Sequence, residues 1–268
     1  MQPQIVLTLS VASLKGLLAG GDSRCPNLNA VPSFTRHQLG LRGLNVPASM
    51  LSGLTASGFE RLRDASDKAG CPCVVLVDEQ PLPFGDRDAS RAAGAGERLA
   101  RLAAAANRLG CRDVAIRCVP GEGEDAVERT AAGIKASMGD IDRHDLNVLV
   151  APHEGWTSDP DRLSALIKRV GGFRIGSLPS FGHAHASGEP EKTLRKLAPY
   201  AESIDATVFD FDAKGEHRPY DLAGMVSAVR AVGYVNTLAI EHAGKGDPVV
   251  AIERARTILE ASIGTEEP

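Results

Sequence analysis

The chain has 268 residues, 43% hydrophobic and 24% charged, an ordinary globular composition long enough to bury a core without disulfides or a structural metal. Lys+Arg 30 against Asp+Glu 34 gives a formal net charge of −4, which leaves no general basic surface for a phosphate backbone and argues against nucleic acid. The five cysteines, Cys25, Cys71, Cys73, Cys111 and Cys118, are odd in number and lack metal-site spacing, so reduced thiols in a cytoplasm are expected.

Short apolar runs alternate with helical patterns along the whole chain. The first run is Ile5–Leu9, and the apolar stretch to Leu18 has no basic residue before it and is interrupted by Lys15. It reads as a strand and a short helix, not a signal peptide or membrane span. An irregular loop is expected over Gly20–Arg36, then a strand at Leu39–Val46 and a helix at Ser57–Ala69. Further strands are expected at Cys73–Val77, Val114–Val119, Leu146–Val150, Arg174–Leu178, Ala206–Phe211 and Leu238–Glu241. Helical spacing marks Ala89–Leu109, Asp125–Ser137, Asp161–Val170, Pro190–Tyr200, Leu222–Val232 and Val249–Ile263. The residues after Gly264 read as a frayed tail.

Runs such as Val74-Val75-Leu76-Val77 are β-branched and unalternating, which suits parallel strands covered on both faces. Asp159-Pro160 and Asp247-Pro248 each place a capping acid before a proline at a helix start. Gly70, Gly110, Gly171 and Gly233 stand where a left-handed C-terminal cap belongs. Eight β/α units in this length predict an α/β fold, a single (β/α)₈ TIM barrel domain over 1–268, with a doubly wound open sheet as second choice.

In such a barrel the chemistry sits at the C-terminal ends of the strands. Those ends carry Asp78-Glu79, His153-Glu154-Gly155-Trp156, Ser180-Phe181-Gly182-His183-Ala184-His185, Asp210-Phe211-Asp212-Ala213-Lys214 and Glu241-His242. Four of the seven histidines fall at these ends, where they can act as acid–base groups or ligands. The Gly182-His183-Ala184 segment, Gly233-Tyr234 leading into Leu238-Ala239-Ile240-Glu241, and Gly246-Asp247-Pro248 together resemble the xylose isomerase-like superfamily of sugar phosphate isomerase/epimerase and endonuclease IV type barrels. The resemblance covers roughly residues 146 to 262.

That resemblance implies sugar isomerisation or epimerisation on a divalent metal held by Glu, Asp, His and Glu after strands five to eight. At the matching positions this chain has Ala151, Ser180, Phe209 and Glu241, so only the last keeps a ligand. The expectation is therefore a degenerate site with no metal and no cofactor. A shifted site built from His153, Glu154, His183, Asp210 and Glu241 is the alternative. Without a metal, Glu241 is the expected acid–base group, with His183 supplying the complementary proton. His153, Glu154 and Trp156 are candidates to bind a small sugar-like or polyol ligand, as are Arg117, Lys214 and Lys245. Arg117 would face the barrel and bind an acidic substrate, pair with Glu241, which Lys214 could also reach, or lie toward the rim.

The Ala243–Pro248 turn is a candidate anion cradle, with two glycines and Lys245 at a helix start. The turn Gly121-Glu122-Gly123-Glu124 is too acidic for a phosphate. Arg98, Arg101 and Arg108 are expected on a solvated helix face. The alternative function is a non-catalytic barrel that binds a sugar or a partner protein. The resemblance also implies a homodimer. Endonuclease IV chemistry needs many zinc ligands that are absent here.

Overall fold

The computed structural model describes residues 4–264 except Glu122 and Glu124. The tail beyond Gly264 and the two acids of the 121–124 turn, on which two sequence expectations fall, lie outside the described residues. Eight parallel strands form one curled sheet in the order β6-β5-β4-β3-β2-β1-β8-β7. They are β1 Val6–Ser10, β2 Leu44–Pro47, β3 Cys73–Leu82, β4 Asp113–Cys118, β5 Asn147–Ala151, β6 Ile175–Ser177, β7 Ser203–Val208 and β8 Thr237–His242. The seam between β6 and β7 is closed by isolated parallel bridges, Ser177 to Ala201 and Ser180 to Asp205, and by the Asp205 N–H donating to Pro179 O at 2.9 Å. The α/β barrel expected from the sequence is the fold observed.

The helices are α1 Lys15–Gly20, α2 Val31–His37, α3 Ala56–Ala69, α4 Ala89–Leu109, α5 Ala126–Arg143, α6 Pro160–Val170, α7 Phe181–Ala186, α8 Pro190–Leu197, α9 Leu222–Arg230 and α10 Pro248–Gly264. The 20–36 stretch is not one irregular loop, because α2 begins at Val31 with Pro32 in its first turn and buries Val31, Phe34 and Thr35. Helix α4 shows why the α pattern was legible. Its buried residues Ala95, Leu99, Leu102, Ala103, Ala106 and Leu109 recur every three or four positions and press one stripe on the sheet. Asp88 caps it by accepting from the Ser90 N–H, and Gly110 closes it at φ 77°.

Strand alternation sorts the residues into two cores. Ile204, Ala206 and Val208 of β7 and Leu238 and Ile240 of β8 face outward and join the main core under the helices. Inside the barrel, Val75, Ala115, Leu149, Ala151 and Leu178 form a separate apolar wall contributed by β3 to β5 and the end of β6. The other half of the bore is polar. Thr8, Asn45, Ser203, Asp205, Thr207 and Glu241 lie there on β1, β2, β7 and β8. The bore is therefore apolar on one side and lined by hydrogen-bonding groups on the other.

All five cysteines are free and buried, and burial pushes the Cys71 thiol up to about 12 and Cys73 up to about 11. No helix among the described residues is long and apolar enough to cross a membrane.

Candidate active site at the barrel mouth

Glu241 is the fifth residue of β8, paired in register with Thr207 of β7. Both side chains face the bore, and the Thr207 hydroxyl donates to Glu241 Oε2 at a long 3.5 Å. Burial raises the Glu241 carboxyl above its usual range, while the charge of Arg117 and the Thr207 bond act in the opposite direction. Among the described residues Glu241 makes no ion pair, so it pairs with neither Arg117 nor Lys214.

A second carboxyl shares the bore. Asp205 lies one layer below Glu241, in register with Ala239 of β8. It accepts from Asn45 Nδ2 at 3.3 Å, and that amide also donates to Ser203 Oγ at 3.2 Å. Burial above all, then the nearby Glu241, pushes Asp205 well above the carboxylate range against the pull of Asn45 and Arg117. Sequence reading missed Asp205 because strand seven was expected to begin at Ala206 and actually runs Ser203–Val208. The signal was present as Ser203-Ile204-Asp205-Ala206-Thr207-Val208, a polar residue at every second position.

The raised Asp205 carboxyl makes stability fall with pH. The folded state holds this proton more tightly than the unfolded chain, so wild type loses stability as pH rises from the ordinary carboxylate range through the raised folded value. The penalty then persists at higher pH. Asp205→Asn keeps an acceptor for Asn45 and never ionises. Its melting midpoint at pH 8 is expected to exceed that of wild type by at least ~2 °C, with the two converging near pH 4. A midpoint equal to or below wild type at pH 8 would contradict the buried-acid assignment.

His183 lies in α7, directly after β6. Ser180 caps this helix by accepting from the His183 N–H at 3.1 Å, and the side of Gly182 packs against Thr207, where a Cβ would lie 3.2 Å from Thr207 Cγ2. The imidazole Nε2 lies 2.9 Å from the Ser158 carbonyl oxygen and donates to it, which leaves Nδ1 as an acceptor. Burial lowers the His183 pKa, so the ring is neutral near pH 7.

The remaining candidates are spread around the rim. His153 is half-buried and uses its backbone oxygen to accept from Thr157, while Glu154 is exposed. Trp156 packs against the outer core instead of standing free over the mouth. Lys214 and Lys245 are exposed on separate loops after β7 and β8.

Asp210 occupies the anion cradle expected at Ala243–Pro248. Its carboxylate accepts from the Lys245 and Gly246 N–H groups, both at 2.8 Å, and from His242 Nε2 at 3.2 Å. Those donors hold Asp210 below the usual carboxylate range. The backbone there is thus satisfied by the protein's own acid. Gly244 is what allows the fit, since a Cβ would lie 2.3 Å from Asp210 Oδ1. Gly244→Ala is expected to break this cap, costing about 1 kcal/mol and accelerating hydrogen exchange at the Lys245 and Gly246 amides. Unchanged protection at both amides would contradict this account.

Phe209 follows β7 and presents no ligand. Its N–H donates to His217 Nε2 at 2.9 Å, and the ring stacks against that imidazole at 6.1 Å between centroids. His217 Nδ1 in turn donates to Tyr220 O at 2.9 Å, so both ring nitrogens are engaged. Among the described residues no three His, Cys, Asp or Glu side chains come together in a metal-binding group.

A family model described as xylose isomerase-like TIM barrel matches residues 37–262. The chain belongs to the xylose isomerase-like TIM barrel family. The match reaches well before residue 146, so the family pattern extends into the half of the chain that showed only a strand–helix rhythm. Among solved structures, an L-ribulose 3-epimerase matches with a TM-score of 0.79 at 14% identity, covering 97% of this chain and 94% of that one. A 3-keto-D-glucoside 4-epimerase of E. coli matches at 0.76 and 12% identity, covering 96% and 100%. A D-psicose 3-epimerase studied with D-fructose matches at 0.73 and 11%, covering 96% of each chain. At these identities the likeness is one of fold. No curated protein matches the chain.

Proposed function

We propose that this xylose isomerase-like barrel binds a small hydroxylated, sugar-like ligand at its C-terminal mouth and moves a proton on it with Glu241, without the divalent metal of its family. The observation that carries the proposal is the fate of the four ligand positions. Glu241 faces the bore, half-buried and unpaired, whereas Ala151 offers no donor. Ser180 uses its hydroxyl to cap α7, and Phe209 is apolar with its N–H bonded to His217. One carboxylate cannot hold a divalent ion against water. The residues present therefore do not fit the family metal, and no step is derived through one.

Proton transfer next to a carbonyl suits the groups that remain. The Glu241 carboxylate takes a proton from the carbon beside the carbonyl, and the electron pair of that bond moves onto the carbonyl oxygen. For the 1,2-isomer the enolate oxygen gains the proton that the neighbouring hydroxyl gives up, and the carbon-bound proton returns to the former carbonyl carbon; delivery to the first carbon from the opposite face inverts it instead. His183 is the complementary proton carrier, with His153 and Glu154 toward the ligand's hydroxyls. The burial that raises the Glu241 pKa makes it a stronger base once ionised.

The same reading includes a cytoplasmic location, no nucleic-acid partner and the homodimer that the family resemblance implies. Its test has two parts: metal content after incubation with Mn²⁺, Mg²⁺ or Zn²⁺ and desalting, and solvent-deuterium incorporation into a panel of ketoses and aldoses. Substoichiometric metal with deuterium incorporation is expected. A stoichiometric metal that disappears in Glu241→Ala would overturn the metal-free mechanism. Saturable ligand binding with no deuterium incorporation would make the chain a non-catalytic binding barrel.

A further inference from the structure

Among the described residues, Arg117 is the only Lys or Arg within a strand of the barrel. It lies on β4 two residues beyond Ala115, which belongs to the apolar wall inside the bore, so alternation turns Arg117 inward near the mouth. Its guanidinium is half-buried. One of its N–H groups donates to the Glu79 carbonyl at 3.2 Å. Glu79 is itself fixed, because its carboxylate accepts from the Ser49 hydroxyl at 2.6 Å and the Ser49 N–H at 3.2 Å. The arginine is thus anchored at one corner of a rigid fork, with four of its five donors left over.

A half-buried guanidinium usually finds a carboxylate, and Arg98, Arg129, Arg174 and Arg256 of this chain each do so. Among the described residues Arg117 has no ion pair within 4 Å, although it acts electrostatically on both Asp205 and Glu241. The positive and negative groups of the bore therefore face one another across a gap. They are too far apart to pair and close enough to feel each other's charge. The polar half of the same bore holds two buried oxygens without partners, Thr8 Oγ1 and Asn45 Oδ1. Such atoms are rare in a folded protein and mark places where a ligand or water completes the bonding.

We infer that Arg117 is the anion anchor of the mouth and that the ligand carries a carboxylate, making it a sugar acid and not a neutral sugar. This inference rests on the proposed function for the location of the site and adds the chemical class of ligand. A planar guanidinium offers two parallel N–H groups to a carboxylate, a geometry that neutral hydroxyls cannot match in strength. The hydroxyl-bearing carbons then extend from Arg117 toward Glu241 and the polar strands, with their C–H faces on the apolar wall. The carboxylate lies away from the reacting carbon, where its binding positions the chain of the sugar and takes no part in the bond changes.

Matched pairs of ligands test this by calorimetry: D-gluconate against D-glucitol, and D-glucuronate against D-glucose. Wild type is expected to bind each acid at least 10-fold more tightly than its neutral partner, with the preference shrinking as salt rises. Arg117→Met should abolish the preference while leaving the weak neutral binding intact. Arg117→Lys, which keeps the charge and loses the fork, should retain part of it, and it serves if the methionine variant fails to fold. Equal affinity for acid and neutral ligand in wild type, or a preference that survives in Arg117→Met, overturns the inference. If neutral sugars bind equally well and incorporate deuterium through Glu241, the sugar-acid inference fails and the proposed function stands. If propionate binds as tightly as gluconate and only through Arg117, the anion anchor stands and the sugar reading beneath it fails.

Discussion

Glu241→Gln is expected to abolish solvent-deuterium incorporation, lowering its rate by about 10²- to 10⁴-fold, the usual worth of a positioned general base. The substitution keeps the shape of the side chain and an oxygen for the Thr207 hydroxyl, so ligand affinity should change little. Stability at neutral pH should hold or rise. Burial raises the Glu241 pKa, so the native state binds its proton more tightly than the unfolded chain and wild type loses stability as pH climbs above the ordinary carboxylate value. A glutamine escapes that penalty. Loss of exchange with retained binding and an undiminished melting point identifies an acid–base group. Retained exchange would place the chemistry elsewhere, and loss of both binding and fold would show that Glu241 merely holds the mouth together.

Arg98→Met is expected to be the most destabilising single change at the edge of the barrel, at about 3 kcal/mol. Asp78 is 1% exposed, and Arg98 binds it in bidentate fashion, with Nε to Oδ2 at 2.6 Å and Nη2 to Oδ1 at 2.7 Å. Removing the guanidinium leaves a carboxylate that is 1% exposed without its countercharge, although Arg98 itself is one-third exposed, which tempers the cost. Most of the cost is that stranded charge, not the net worth of the pair. Asp78→Asn in the same background removes the charge and should recover more than half of the loss. A double variant no better than Arg98→Met would mean that packing of the arginine stem dominates. Chemical denaturation of the four proteins in the cycle measures this directly.

The same arginine shows how far one-dimensional reading reaches. Arg98, Arg101 and Arg108 were assigned to a solvated helix face by their spacing among alanines. Arg101 fits, with its side chain 69% exposed beside Glu97. Arg98 does not, because a partner twenty residues earlier on β3 draws it across the edge of the sheet. Periodicity locates the stripe a helix buries, yet it does not reveal which long polar side chain at the border of that stripe will turn inward.

The site divides in a similar way. Position along strands was readable, so the β/α rhythm placed Arg117 on β4, Glu241 on β8 and His183 just after β6, where the structure has them. Asp205 was lost through a three-residue error in where β7 begins, which matters because a strand has a period of two. The pairing of Asp210 with the Gly244–Gly246 turn was also out of reach, since it joins two loops 36 residues apart. The sequence showed an anion cradle there and could not show that the anion is the protein's own.

Taken alone, the amino-acid sequence determined the alternation of eight strands and their helices, the caps that bound them and the family to which the chain belongs. Those are local properties, set by spacing, turn residues and side-chain type. Only the tertiary structure decided which charges meet. It paired Asp78 with Arg98, seated Asp210 on the Lys245 and Gly246 amides, and left Arg117 outside any ion pair yet near enough to act on the charges of Asp205 and Glu241. Charge pairing depends on distances of a few ångströms between residues far apart in the chain, and closure of the barrel sets those distances.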